Sequence, residues 1–540
     1  MYSHKTIDNS VLKLLLEHES RRIPVDTKLN YLWWDSATGY ERKDSGQFAD
    51  YSLKFWKLYN NRNFNNKCHK LFEKYKDNTQ CHEYSILKIL VNSILRNRVS
   101  RELKERIDSI SGLLEHRALN YRPVILIGGK RRRLTSMDIH RELNNSGKRD
   151  RVNMWDAGRR IGKVLYRTGF PELVRIRNRI ALDNNFSDFH RMSLYLDDIE
   201  PQWLDSFMER LADVTETPFL DAKAEIDSVL SSKFSIPSSM LMPWHYGDLF
   251  FQEVPSFVNQ EPAKKNISNS IDAVISLFKY IGLDISDVIE KSDFGKRKNK
   301  IAHAYCLDMD RQGDIRIIAT ETNDQAFVST LLHECGHAAY FRNIDKKLNY
   351  IFRSPAHLFL SEGIAMFMQS LQYEEGFLKK LYNKSPGYWR KYSRVKNHKR
   401  KIDNLVFIRW SLVMYFFERE LYRNPEQDLQ KLWWFLVNKY QKLNIPTDRN
   451  NRFDWLSKIH IVTNPVYYHN YLLGAVFSDT LRCSLGGDST GGDFIETLKE
   501  KKFGDMITEN LFSFGKSKTW NSAVLDLFGK PLQPEMINCK

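Results

Sequence analysis

This sequence predicts a mainly α-helical protein: two helical subdomains around a deep central cleft, with a small antiparallel β-hairpin beside the helix that carries a His-Glu-x-x-His motif. Three observations lead there. Long stretches carry apolar residues at helical spacing, with 16 prolines and 25 glycines among 540 residues. Around 301–319 the period shortens to the alternation of strands. The chain is 42% apolar, ample for a large core, yet too long for one ordinary compact subdomain. We therefore expect one functional domain over 1–540, built from a helical half near 1–235 and a second half near 236–540.

The elements follow in order. Residues 1–120 read as successive helices with aromatic and charged faces, Tyr51–Tyr59 and Glu83–Arg98 among them. Residues 155–235 continue in the same manner, and Gly169-Phe170-Pro171 opens a helix that runs through Arg179, since proline suits a first helical turn. Ser235-Ile236-Pro237-Ser238-Ser239 is a hinge-like break. Ile301–Leu307, Asp310–Asp314 and Ile315–Ala319 read as strand, turn and strand. Helices resume at Ala326 and continue to about Val437.

Composition excludes several classes. No stretch approaches 18 apolar residues, so no membrane span is expected. The N-terminal segment lacks the apolar run of an export signal, which points to a cytoplasmic protein. Cys68, Cys81, Cys306, Cys335, Cys483 and Cys539 are scattered without C-x-x-C spacing and read as reduced thiols. The net charge is +16, with basic clusters at Lys130–Arg133, Lys296–Lys300 and Arg390–Lys401. Solvated faces explain these as well as an acidic partner does, and no nucleic-acid motif accompanies them, so no nucleic-acid partner is expected. Gly128-Gly129-Lys130 lacks the earlier Gly and the following Ser/Thr of a phosphate-binding loop. The sequence sets no expectation of oligomeric state.

Residues 331–337 read Leu-Leu-His-Glu-Cys-Gly-His. On a helix His333 and His337, four apart, project from one face and can grip one metal ion. Glu334 sits beside that ion, where a carboxylate can take a proton from metal-bound water and pass it to a leaving amine. Cys335 points away and is expected to pack; Gly336 permits a close approach to the helix. The third ligand is expected at Glu362, 25 positions beyond His337, near the start of a second helix. Two His and one Glu leave a coordination position open for water, the arrangement of a catalytic zinc. The plainer readings are two histidines in ordinary hydrogen bonds and a surface carboxylate at a helix N-terminus.

Further matches add a family. Gly247-Asp248-Leu249-Phe250-Phe251-Gln252, His303-Ala304-Tyr305 leading to Asp314-Ile315-Arg316, and Lys458-x-His460 … Pro465 … Tyr468-x-x-Tyr471 stand in order around the metal motif. Together they resemble the angiotensin-converting enzyme (peptidyl-dipeptidase A) family of zinc peptidases from about Pro171 to Leu481, in a divergent, prokaryotic-type form. The resemblance implies a gluzincin fold in which His333, His337 and Glu362 bind one Zn2+ per chain and Glu334 is the general base and acid. Tyr471 would stabilise the oxyanion, His303 and His460 would bond the substrate backbone, and Ala304 would pair with the peptide main chain. Gln252, Lys458 and Tyr468 would hold the substrate's C-terminal carboxylate, which implies release of C-terminal dipeptides from short peptides by promoted-water hydrolysis.

The departures are specific. Better-known members carry an Asp four residues after the zinc Glu, where Met366 stands, so the metal histidines need another support. In chloride-activated members an Arg precedes the catalytic tyrosine; Asn470 stands here, which predicts weak or no chloride activation. The spacings from His337 to Glu362 and from His460 to Tyr468 are each one residue longer than in those members. A thimet-type oligopeptidase or a Taq-type carboxypeptidase shares the zinc scheme, and a non-catalytic peptide-binding protein is the alternative of another class.

Overall fold

The computed structural model describes residues 7–39, 45–127, 129–145, 148–255, 267, 269–301, 303–322, 324–381, 386–487 and 493–537. It is mainly helical, as the apolar spacing predicts. Among the described residues the strands form only two antiparallel pairs, β1 (Val124–Ile127) with β2 (Lys130–Arg133), and β3 (Tyr305–Asp308) with β4 (Ile315–Ile318). No helix among them is long and apolar enough to cross a membrane.

The chain divides into two compact units interleaved in sequence: 1–98, 264–394 and 473–540 form the first, 99–263 and 395–472 the second. At the expected break near residue 235, Ser235 in the left-handed region closes the helix Pro201–Phe234.

In the first unit the helices Asn9–Thr38, Ser45–Tyr59, Arg62–Tyr75 and His82–Asn97 meet on one core. Val11, Leu15, Cys68, Ile86, Leu87 and Leu90 are fully buried there. Each removes roughly 1.5–3 kcal/mol worth of apolar surface from water if its side chain is Leu-, Ile- or Val-sized. The first helix starts on an Asp8 cap, whose carboxylate accepts the N–H of Ser10. Its far end packs Trp34 and Ala37 on Met309 and Ile318, which seats the β3–β4 hairpin. The hairpin register pairs Tyr305 with Ile318 and Asp308 with Ile315. Ile301, read from sequence as the start of the first strand, instead donates its N–H to Ala37.

In the basic run 296–300, Arg297 and Lys300 are taken up by internal contacts, while Lys296 and Lys298 are exposed. Lys300 is 1% exposed at its side chain and its ammonium meets Asp293 at 2.8 Å, besides backbone carbonyls. Cys68 and Cys335 are buried free thiols, and Cys81 and Cys306 are also free; Cys539 lies outside the described residues.

The second unit holds the helix Phe170–Asp183, opened by Pro171 as expected, and most of the long helix Pro386–Arg423. A fully buried Arg409 ties it together by donating to the carbonyls of Tyr440 and Ala212. The β1–β2 hairpin was not expected from the sequence. All four residues of β2 are exposed and charged, so no apolar alternation marks the strand; Gly129, at φ 79°, is the turn signal.

Candidate metal centre

The helix Gln325–Asn343 carries the His-Glu-x-x-His motif mid-way, and starts on an Asp324 cap whose carboxylate accepts the N–H of Phe327 at 3.0 Å. The helix Leu358–Ser370 lies against it and carries Glu362 one turn from its start. Gly336 makes this crossing possible: a Cβ there would sit 2.7 Å from the Cα of Ala365. Gly474 does the same on the other side, since its Cβ would press on Glu362 and Gly363. The glycines bring Glu362 beneath the histidines.

The donor atoms of His333, His337 and Glu362 lie within 4.8 Å of one another. Nε2 of His333 is 3.6 Å and Nε2 of His337 4.0 Å from Oε2 of Glu362. Zinc bonds near 2.0–2.2 Å at tetrahedral angles separate ligand atoms by about 3.3–3.6 Å, so this N, N, O set suits a zinc ion. Burial drives both imidazoles towards their neutral, ligating form, His333 down to about 4 and His337 well below the ordinary histidine range.

The support that the family's Asp would give is supplied by neutral groups. His333 Nδ1 meets Oε1 of Gln369 at 3.3 Å, and His337 Nδ1 meets Oγ of Ser361 at 2.8 Å. Gln369 is seven residues past Glu362, two turns along the same face and one turn beyond Met366. Its orientation is set from behind: its amide N–H donates to Ser329 Oγ at 2.9 Å, as does that of Gln372 at 3.0 Å, and Gln325 donates to Gln372. With its N–H used, Gln369 turns its carbonyl to His333. That fixes the proton on Nδ1 and leaves Nε2 for a metal. The sequence reading missed Gln369 and Ser361; the seven-residue spacing was the one signal for Gln369.

Glu334 is buried beside the triad. Burial, with the charge of Glu362 added, pushes its carboxyl up to about 8, opposed by the Cys306 N–H that donates to it. Cys306 lies on β3, and β4 is engaged on its other side by Asp293. In an antiparallel pair the N–H and C=O groups of alternate residues point to the outer edge. Met309 bonds inward to Asp314, so Cys306 and Asp308 face outward. Glu334 takes the first and Asn30 bonds the carbonyl of the second. Ala304, two residues before Cys306, stands next on that edge, half-buried, and His303 beside it is exposed.

The remaining expected residues come together in the second unit. Lys458 donates to Oε1 of Gln252 at 2.6 Å, and its ammonium lies 5.3 Å from the Phe250 ring and 5.6 Å from that of Trp410. Tyr468 meets Trp410 edge-on at 6.2 Å, and His460 and Tyr471 pack on Tyr468 at 5.9 and 5.5 Å. Asp248 shapes the turn by accepting the N–H groups of Phe250 and Gln252, and burial lifts its carboxyl to about 6. Burial also lowers Lys458 to about 8, because its direct partner is the neutral Gln252. A desolvated ammonium held this way favours an arriving anion.

The family model for angiotensin-converting enzyme matches residues 286–535. The angiotensin-converting enzyme of Mesocricetus auratus is 22% identical over 417 residues, covering 70% of this chain and 31% of that protein. That of Haematobia irritans exigua is 21% identical over 66% of this chain and 64% of its own length. Carboxypeptidase 1 of Bacillus subtilis (strain 168) is 25% identical over 44% of this chain and 51% of its own. The aligned region thus spans less than two thirds of each of these relatives.

Proposed function

We propose that the chain is a divergent member of the angiotensin-converting enzyme family and a zinc peptidase releasing C-terminal dipeptides from short peptides. The observation that carries the proposal is the convergence of His333, His337 and Glu362 with a buried Glu334 against the outer edge of β3. Bound by the triad, zinc would act as a Lewis acid, lowering the pKa of a coordinated water and polarising the scissile carbonyl.

The residues do the rest. Ala304 pairs with the extended peptide by its backbone, as strand addition requires. His303 and His460 donate to the substrate main chain. Glu334 accepts the proton of the attacking water and returns it to the leaving amine, a role that its place beside the triad suits. Tyr471 donates to the oxygen on which charge develops. Lys458, Gln252 and Tyr468 bind the terminal carboxylate with one cation and two neutral donors, which an internal peptide segment cannot satisfy.

Glu334→Gln tests the chemistry. It keeps the shape and removes the base, so zinc content should stay at one per chain while turnover falls by about 10³-fold or more. Full activity in that variant contradicts the mechanism. A second reading, a carboxypeptidase releasing single residues, draws on the likeness to the Bacillus subtilis protein. The size of the released fragment separates the two.

A further inference from the structure

Away from the metal centre, a concavity of about 370 Å³ in the second unit is walled by Tyr121, Arg160, Lys163, Arg167, Arg449 and Arg452. Arg160, Lys163 and Arg167 stand at i, i+3 and i+7, so they share one face of the helix Ile161–Thr168 and its cap. Arg449 and Arg452 come from the loop facing it. Helix and loop are locked together: Gly162 leaves no room for a side chain against the Phe453 carbonyl, and Tyr166 stacks on Phe453 at 3.9 Å. Asp448, Asn451 and Phe453 all hold left-handed backbone at φ 55–57°, a cost that the packing of the loop must offset. The cations therefore sit on fixed walls.

Their charge is poorly compensated. Arg449 is engaged by Asp156 at 2.6 Å and by Asp454. Arg160 reaches Asp156 only at 3.5 Å. Lys163, Arg167 and Arg452 have no carboxylate partner among the described residues. Like charges crowded on one concave wall repel one another. An anion bearing several charges replaces that repulsion with charge-assisted hydrogen bonds, for which guanidinium forks and an ammonium suit phosphate oxygens. The net charge of +16 adds a favourable long-range field.

We infer that this cradle binds a small phosphate-bearing polyanion, either inorganic polyphosphate or the phosphate tail of a nucleotide. A concavity near the small end of ligand-pocket volumes suits a compact ligand. A single strand of nucleic acid would require a longer track with stacking platforms.

The test is calorimetric titration of tripolyphosphate into the full zinc-loaded chain at fixed ionic strength. The wild type is compared with the double variant Lys163→Ala/Arg167→Ala, and with Lys130→Ala/Arg132→Ala, which removes equal charge from exposed β2. All share one metal centre, so chelation by the titrant cancels between them. The wild type should show one saturable site, weakened at least tenfold in the cradle variant and within twofold in the β2 variant. Arg452→Ala, from the facing loop, should weaken it as well and serves if the helix variant does not fold. ATP binding comparably would assign the ligand to nucleotides; ATP failing where tripolyphosphate binds would assign it to inorganic polyphosphate. No saturable site, or equal loss in cradle and β2 variants, overturns the inference, as does tighter binding of a single-stranded oligonucleotide through the same residues.

Discussion

Gln369 holds the proton position on His333 and Ser361 anchors the His337 ring, both without charge. A carboxylate in that place would raise the basicity of the imidazole; a neutral acceptor orients the ring but polarises it less. Gln369→Ala should therefore lower zinc affinity by roughly 10–100-fold, read by competition with a chelator, while Gln369→Glu should keep or tighten it. Unchanged affinity in Gln369→Ala would remove the residue from the metal centre's support. Asn470 makes a separate prediction. It is fully buried and neutral where chloride-activated members carry an Arg, so activity should change little between zero and physiological chloride. A several-fold rise would contradict this.

At the scale of elements, the helix Tyr468–Ser484 must begin at the right place to carry Tyr468 and Tyr471. The turn before it holds Val466 at φ 57°, a strained conformation for a β-branched residue. Glu418, fully buried on the long helix, accepts the Val466 N–H at 2.9 Å, and Arg177 clamps the carbonyls of Ile461 and Val462 just upstream. Burial pushes the Glu418 carboxyl up to about 8, opposed by the Val466 N–H and by Arg177. The folded chain therefore holds a proton there that the unfolded chain has released. The contribution of Glu418 to stability is greatest below about pH 4.5 and is lost as pH rises towards 8, by at most about 1.4 kcal/mol per pH unit. Glu418→Gln should flatten that part of the stability profile in denaturant melts at pH 5 to 8; an unaltered slope would show that Glu418 is not the titrating group. The metal helices and the β3–β4 hairpin could be read from sequence, because helical spacing and the change of period are local. The β1–β2 hairpin could not, since β2 is charged on both faces, and neither could Glu418, whose partner lies 48 residues away.

For the whole molecule, the grouping of the metal triad was more legible in the sequence than the division into units. His333, His337 and Glu362 were legible because two helices alone determine their spacing, while Gln369, Ser361 and Asp248 depend on how elements pack. The two interleaved units rest on contacts distant in sequence, so no composition shift marks their boundaries. Gln252, Lys458 and Tyr468 group around Phe250 and Trp410, and under the proposed function this set would offer one cation and neutral donors to a terminal carboxylate. The most direct measurement is mass spectrometry of the products from one short peptide presented with a free and with an amidated C-terminus, each with and without a chelator. The account predicts dipeptides from the free C-terminus alone, and nothing once the metal is removed. Single residues, internal cuts, or equal cleavage of the amidated peptide would contradict it.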